Sequence, residues 1–199
     1  MKLSNKFTTM RLAFAPIFFL LYNIPLWTHS EPLWKISSFV MIPLLAIFEL
    51  TDYFDGYFAR KNGEVSDFGK LYDPFADVIL NLTVFLCATK SVSADIGAYM
   101  PLVIFVLILY REFSMNFIRM IAVSKGVAIA ARKGGKIKTV FYITSGFFAL
   151  AIESALRLNI KIPCLEQLKI AAIVLFSICL LLSYISFIDY IKTFCKILK

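Results

Sequence analysis

Histidine occurs once in this sequence, at position 29, and the four cysteines (Cys87, Cys164, Cys179 and Cys195) form no C-x-x-C spacing. Such sparse, scattered ligands point away from a zinc site and from a disulfide framework, and the cysteines read as small apolar residues. Charge is scarce too. Asp, Glu, Lys and Arg make up 17% of the 199 residues, whereas 60% are hydrophobic and the mean hydropathy is +0.79. Soluble domains carry about 45–50% apolar residues, so this composition indicates an integral membrane protein. The net charge of +8 does not indicate a nucleic-acid partner, because the Lys and Arg residues flank apolar spans as orientation signals do. They can also attract anionic lipid or an anionic substrate. The sequence has no internal repeat and no low-complexity segment, and residues 1–199 read as one domain.

What is present is a series of apolar runs. Lys2, Lys6 and Arg11 precede the first, an arrangement that resembles a leader peptide; no small-residue cleavage pattern follows and further spans do, so the segment is expected to be retained. Asn5, Thr8 and Arg11 recur every three residues, which predicts a short N-terminal interfacial helix with an ordinary polar face and a positive anchor. The expected spans are Leu12–Trp27 (with Pro16 and Pro25 as kinks), Leu33–Leu50 continuing helically into Asp52–Arg60, Leu71–Thr89, Pro101–Ala122, Ile137–Leu156 and Leu165–Ile188. About 20 helical residues cross a hydrocarbon core of roughly 30 Å. The expected fold is therefore all-α, a bundle of six transmembrane helices with that short interfacial helix before it. Most of the 21 basic residues fall in the N-terminal segment, the 60–70 loop, the 119–138 region and the C-terminal tail. Both termini are then expected on the cytoplasmic side.

Acidic residues concentrate between the second and third spans. Asp52 and Asp55 are three apart and Asp73 and Asp77 four apart, spacings that put each pair on one helix face. An acid at the centre of a membrane helix costs about 2.5–3.5 kcal/mol on insertion scales unless it is paired, hydrated or bound to metal. Four carboxylates close together need counter-charge. Mg²⁺ or Mn²⁺ suits such oxygen ligands, and two ions about 3.5–4 Å apart serve phosphoryl chemistry elsewhere. Gly56 and Gly69 bracket the loop between the pairs, where a missing Cβ lets a ligand approach the backbone; Ala59 is small, and Arg60 can pair with phosphate oxygens. Each glycine alone would read as helix packing.

The whole stretch fits D-x-x-D-G-x-x-A-R-x₈-G-x₃-D-x₃-D at Asp52, Asp55, Gly56, Ala59, Arg60, Gly69, Asp73 and Asp77. It resembles the signature of the CDP-alcohol phosphatidyltransferases, membrane enzymes of phospholipid synthesis. The resemblance implies that an alcohol attacks the β-phosphorus of CDP-diacylglycerol and releases CMP. It implies that the four acids hold two divalent ions, that Asp77 also takes the alcohol proton, and that Asp52, Gly56, Ala59, Arg60 and Gly69 receive the CDP group. It further implies a homodimer, with the site opening on the cytoplasmic side of a bacterial membrane.

A second region, Arg111–Thr139, suggests the acceptor. Arg111 is a cation inside an apolar span, directly followed by Glu112, and Arg119 lies eight residues on, near the same helix face. A structural Arg111–Glu112 pair is one reading. The other joins Arg111, Arg119, Lys136 and Lys138 into a phosphate-binding group. Lys125, Arg132 and Lys133 read as orientation signals. R-E-x₆-R followed by G-K-x-K-T (Gly135, Lys136, Lys138, Thr139), together with N-x-x-T-x-x-R and Pro16, resembles bacterial family members whose acceptor is sn-glycerol 3-phosphate. The connection Ala128–Ala131 followed by R-K-G-G-K is more basic than that pattern. Inositol phosphate as acceptor is the nearest alternative. A cation transporter is the alternative of another class, since intramembrane acids mark ion pathways; here the acids gather at one end of the spans, with no relay across them.

Overall fold

The computed structural model describes residues 3–61, 67–94, 97–126 and 133–197, and the side chains of all of these except 3–6, 52–61, 67, 68, 70, 133, 196 and 197. The described residues form six helices in the expected order: α1 (Leu3–Thr28), α2 (Glu31–Lys61), α3 (Asp67–Cys87), α4 (Leu102–Ser124), α5 (Lys133–Arg157) and α6 (Leu165–Ile197). One expectation changes. Instead of a short interfacial helix followed by a span, residues 3–28 make one continuous helix, with Pro16 and Pro25 inside it. Of the polar residues near its start, Thr8 and Arg11 are almost fully buried against α3, and those contacts carry the helix on into the bundle. At the other end of α1, His29 takes a left-handed backbone (φ +50°), as Asn159 (φ +56°) does after α5. This conformation closes a helix by turning the chain away from its last carbonyls. The single histidine thus has a backbone role.

Contacts fix the helix directions. From Thr8–Asp73 through Arg11–Asp77 to Asn23–Cys87, the α1–α3 side-chain pairs keep a nearly constant sequence separation of 64–66 residues. Constant separation means that α1 and α3 run parallel, with α2 returning between them in sequence. By the same argument α4 and α6 are parallel, since Leu107 O accepts from Tyr184 and Arg119 lies over Tyr190. An up-and-down path follows, and it brings the starts of α1, α3 and α5 to the same end of the bundle as the ends of α2, α4 and α6.

Two apolar clusters fill the interior. Phe14, Phe18, Met41, Leu45, Leu80 and Val84 join α1, α2 and α3, with Phe14 stacked on Phe48 at 3.8 Å between centroids. Phe85, Ile108, Tyr142 and Phe176 join α3 to α6, with Phe85 edge-on to Phe176 at 5.2 Å. The helices α3 and α5 approach closely at Gly146, where a Cβ would stand 3.0 Å from Val84 Cγ1. Cys87 and Cys179 are buried and Cys164 and Cys195 exposed, all as free thiols.

The outer surface is also apolar: Phe39, Val103, Tyr110, Leu181 and Ile185 are all largely exposed, which suits lipid rather than water. Among the described residues, four helices (α1, α2, α5 and α6) are long and apolar enough to cross a membrane. The other two, α3 and α4, carry the charged residues Asp73, Asp77, Arg111, Glu112 and Arg119.

The end of the bundle away from these charges is closed by a buried network. Glu153 and Arg157 have fully buried side chains and pair at 2.8 Å. Glu153 also accepts hydrogen bonds from Ser91 Oγ (2.8 Å), Tyr99 OH (2.9 Å) and Val92 N (3.1 Å). Arg157 donates to Ser37 Oγ (2.8 Å) and Tyr22 O (3.0 Å), with its guanidinium 4.4 Å from the Tyr22 ring centroid. The network thereby clamps α1, α2, α5 and the connection after α3. Removing one partner strands a buried charge, so Glu153→Ala is expected to cost about 3–5 kcal/mol of stability. Unfolding of the purified variant in detergent measures that loss.

Candidate active site

The α3 carboxylates are built from two directions. The i, i+4 spacing along α3 puts Asp73 and Asp77 on one face, and the parallel packing of α1 brings two of its residues onto them. Thr8 Oγ1 donates to Asp73 Oδ1 at 2.5 Å, and the Arg11 guanidinium forms a salt bridge with Asp77 Oδ1. One turn nearer the start of α3, Tyr72 OH meets Thr9 Oγ1 at 3.1 Å. The Arg11 side chain is only 2% exposed whereas that of Asp77 is 40% exposed: the cation is sealed inside while the acid keeps an open side. Gly69 is buried in the first turn of α3. Asp52, Asp55, Gly56, Ala59 and Arg60 lie in the last turns of α2, but their side chains are outside the described residues, as is that of Asn5. Asp73 and Asp77 offer carboxylate oxygens, hard donors that fit Mg²⁺ or Mn²⁺, and the open side of Asp77 leaves room for a ligand.

The basic group on α4 and α5 is organised around Glu112. Arg111 Nη1 binds Glu112 Oε2 at 2.8 Å, and Lys138 Nζ binds Glu112 Oε1 at 2.7 Å. Tyr142 OH donates to the same Oε1 at 2.9 Å, and Arg111 Nε donates to Ser183 O at 2.8 Å. Two cations and one anion leave this cluster with net positive charge. Arg111 and Glu112 are buried and Lys138 nearly so, which makes the arrangement rigid. Of the two sequence readings of Arg111, its pairing with Glu112 is what the geometry holds; of the other group it shares Glu112 with Lys138 alone.

Arg119 and Lys136 stand apart from that cluster. Arg119 lies 6.0 Å from the Tyr190 ring centroid and lines a cleft of about 190 Å³ with Asn116 and Met120 of α4 and Leu71, Tyr72 and Phe75 of α3. The cleft joins the end of α4 to the stretch of α3 that bears Asp73. Lys136 is exposed. Lys125 is exposed at the end of α4, while Arg132 and the Lys133 side chain lie outside the described residues.

From sequence, Thr8 and Arg11 are expected at a surface and Glu112 only as the partner of Arg111, whereas all three take part in buried clusters. No local signal separates the two roles of Thr8 and Arg11: a cation and a hydroxyl three residues apart at the head of an apolar span are satisfied equally by water or by buried partners.

The sequence profile of the family described as CDP-alcohol phosphatidyltransferase matches residues 1–192. The chain is 37% identical over 204 residues to a CDP-diacylglycerol–glycerol-3-phosphate 3-phosphatidyltransferase of Treponema pallidum (strain Nichols), covering 100% of this chain and 92% of that protein. A protein of the same description from Bacillus subtilis (strain 168) is 34% identical over 144 residues, covering 69% of this chain and 70% of its own. A probable phosphatidylglycerophosphate synthase of Mycobacterium tuberculosis (strain ATCC 25618 / H37Rv) is 30% identical over 190 residues, covering 95% and 79%. With the eight signature positions intact and the match running through nearly the whole chain, the protein belongs to the CDP-alcohol phosphatidyltransferase family.

Proposed function

We propose that this protein is a phosphatidylglycerophosphate synthase, transferring the phosphatidyl group of CDP-diacylglycerol to sn-glycerol 3-phosphate with release of CMP. The observation that carries this reading is its similarity over the full chain to enzymes of that description, with all eight signature residues in place. In this reading the chain spans a bacterial cytoplasmic membrane six times, with both termini and the site on the cytoplasmic side, and works as a homodimer. The basic residues near α1's start, α4's end, α5's start and the C-terminus support that orientation.

Asp52, Asp55, Asp73 and Asp77 would hold two divalent ions, Mg²⁺ or Mn²⁺, whose charge offsets that of the diphosphate. Asp77 accepts the proton of the acceptor hydroxyl from its open side. The hydroxyl oxygen bonds to the phosphorus that carries the diacylglycerol, the bond from that phosphorus to the bridging oxygen breaks, and CMP departs with the electron pair. Gly56, Ala59, Arg60 and Gly69 receive the nucleotide. Arg111 and Lys138, held on Glu112, supply net positive charge toward the acceptor phosphate, and Arg119 and Lys136 add to it. A second reading has one observation in its favour: the Arg111 contacts to Glu112 and Ser183 O make it a structural partner instead.

Three measurements test these assignments. Purified protein in detergent, given CDP-diacylglycerol and Mg²⁺ or Mn²⁺, should release CMP with glycerol 3-phosphate and not with inositol phosphate or serine; CMP with another alcohol would overturn the acceptor. Asp77→Asn should lower kcat by about 10²–10⁴-fold with CDP-lipid binding still detectable; full turnover would remove Asp77 as base. Arg111→Ala should raise KM for the acceptor about tenfold with a smaller change in KM for CDP-diacylglycerol. An unchanged acceptor KM would leave Arg111 to the structural reading.

A further inference from the structure

Three cations of the basic group rest on aromatic rings. Lys138 Nζ lies 4.5 Å from the ring centroid of Tyr142, the Arg111 guanidinium 5.7 Å from that of Phe187, and the Arg119 guanidinium 6.0 Å from that of Tyr190. None of the three rings belongs to the sequence motifs that pick out the cations. Tyr142 follows Lys138 by one turn of α5, while Phe187 and Tyr190 are three apart on α6 and so share a face. That stretch of α6 is fixed from two sides. Ser183 O accepts from Arg111 Nε at 2.8 Å and Tyr184 OH donates to Leu107 O at 3.2 Å, which pins it to α4. A Cβ on Gly135 would stand 3.9 Å from Ser186 Oγ, so the start of α5 packs on it as well.

A carboxylate and a ring hold a cation differently. Glu112 offsets charge and occupies N–H groups of Arg111 and Lys138. A ring face attracts the cation through its quadrupole, leaves it charged and claims no N–H for a lone pair. A guanidinium held at Nε by Ser183 O, at Nη1 by Glu112 and on its face by Phe187 has its plane set, with Nη2 as its remaining corner. The rings also gather the cations. Arg111 and Arg119 stand eight residues apart on α4, about 12 Å along the helix, but their seats on α6 are three residues apart, about 4.5 Å. The charge of Arg119 reaches Lys138 together with those of Glu112 and Arg111.

We propose that Tyr142, Phe187 and Tyr190 are positioning residues of the acceptor site, whose rings seat Lys138, Arg111 and Arg119 so that their charge and N–H donors converge on the acceptor phosphate. The helix α6, which carries two of the rings, thereby becomes part of that site. The proposal rests on the phosphatidyl-transfer reading above and deepens it: preference for a phosphorylated alcohol comes from cations held in place by groups that do not neutralise them.

The test is binding of radiolabelled glycerol 3-phosphate to the purified full-length protein in detergent, with kcat and both KM values measured alongside. Fluorinated phenylalanine in place of Phe187 keeps the shape of the ring and drains negative charge from its face. It should raise Kd and KM for glycerol 3-phosphate stepwise with each added fluorine, to about fivefold. Over the same series kcat and KM for CDP-diacylglycerol should change by less than about twofold. Phe187→Leu and Tyr190→Leu should each raise the acceptor Kd about fivefold, while Tyr190→Phe, which keeps the ring, should match the wild type. Tyr142→Phe should raise it less than Tyr142→Leu. In the Arg111→Ala background the fluorine effect should vanish, because the ring acts through that cation. A ring that merely packs would respond to Leu and not to fluorine.

An acceptor Kd that ignores fluorination of Phe187, or a fluorine effect that persists undiminished in Arg111→Ala, would overturn the proposal. If the Leu variants fail to fold, the fluorinated series, which leaves the packing unchanged, decides alone. Wild-type protein that binds glycerol 3-phosphate but releases no CMP would overturn the reaction assigned above, and the Kd series would still decide the seating. Wild-type protein that neither binds nor uses glycerol 3-phosphate would overturn the acceptor and this proposal with it.

Discussion

A charge buried in an apolar bundle must have a partner, and that constraint ties this protein together. Arg11 of α1 meets Asp77 of α3. Arg111 of α4 and Lys138 of α5 meet Glu112, and Arg111 reaches on to the backbone of α6. Arg157 of α5 meets Glu153 and reaches α1 and α2. Between them the three clusters touch all six helices. Lipid gives helices little hydrophobic reason to associate, so van der Waals packing and polar contacts of this kind bear more of the specificity than they would in water. A buried ion pair does not guarantee net stability, but it penalises every packing that separates the partners.

The clusters are also distributed by task. The Glu153–Arg157 network satisfies both its charges with hydrogen bonds inside the fold and lies at one end, where it holds α1, α2, α5 and the 88–100 connection together. The other two clusters lie toward the opposite end and are less closed. Asp77 has an open side, the Glu112 cluster carries excess positive charge, and a mainly apolar cleft with Arg119 among its lining residues runs from α4 to α3. A rigid closed end and an open charged end suit a site that receives an anionic headgroup at the membrane boundary while lipid chains remain in the bilayer.

Much of this was legible in the sequence, for identifiable reasons. The six helices follow from apolar runs of near-membrane length, and their observed bounds stay close to those runs, except that α6 continues to Ile197 and α1 begins at Leu3. The pairing of Asp73 with Asp77 follows from helical periodicity. The interfacial helix did not follow, because Asn5, Thr8 and Arg11 look the same in sequence whether their face meets lipid headgroups or another helix. Glu112 likewise read as the neighbour of Arg111, with nothing local to say that Lys138 and Tyr142, 26 and 30 residues away, would converge on it.

The helices, the membrane class and the family are written in local spacing: 3.6 residues per turn, about 20 residues per span, eight positions in a fixed register. The tertiary structure decided which partner each charge takes. That choice depends on the parallel register of α1 against α3 and the convergence of α4, α5 and α6 on Glu112. These are distances between residues far apart in the chain, and no local spacing encodes them.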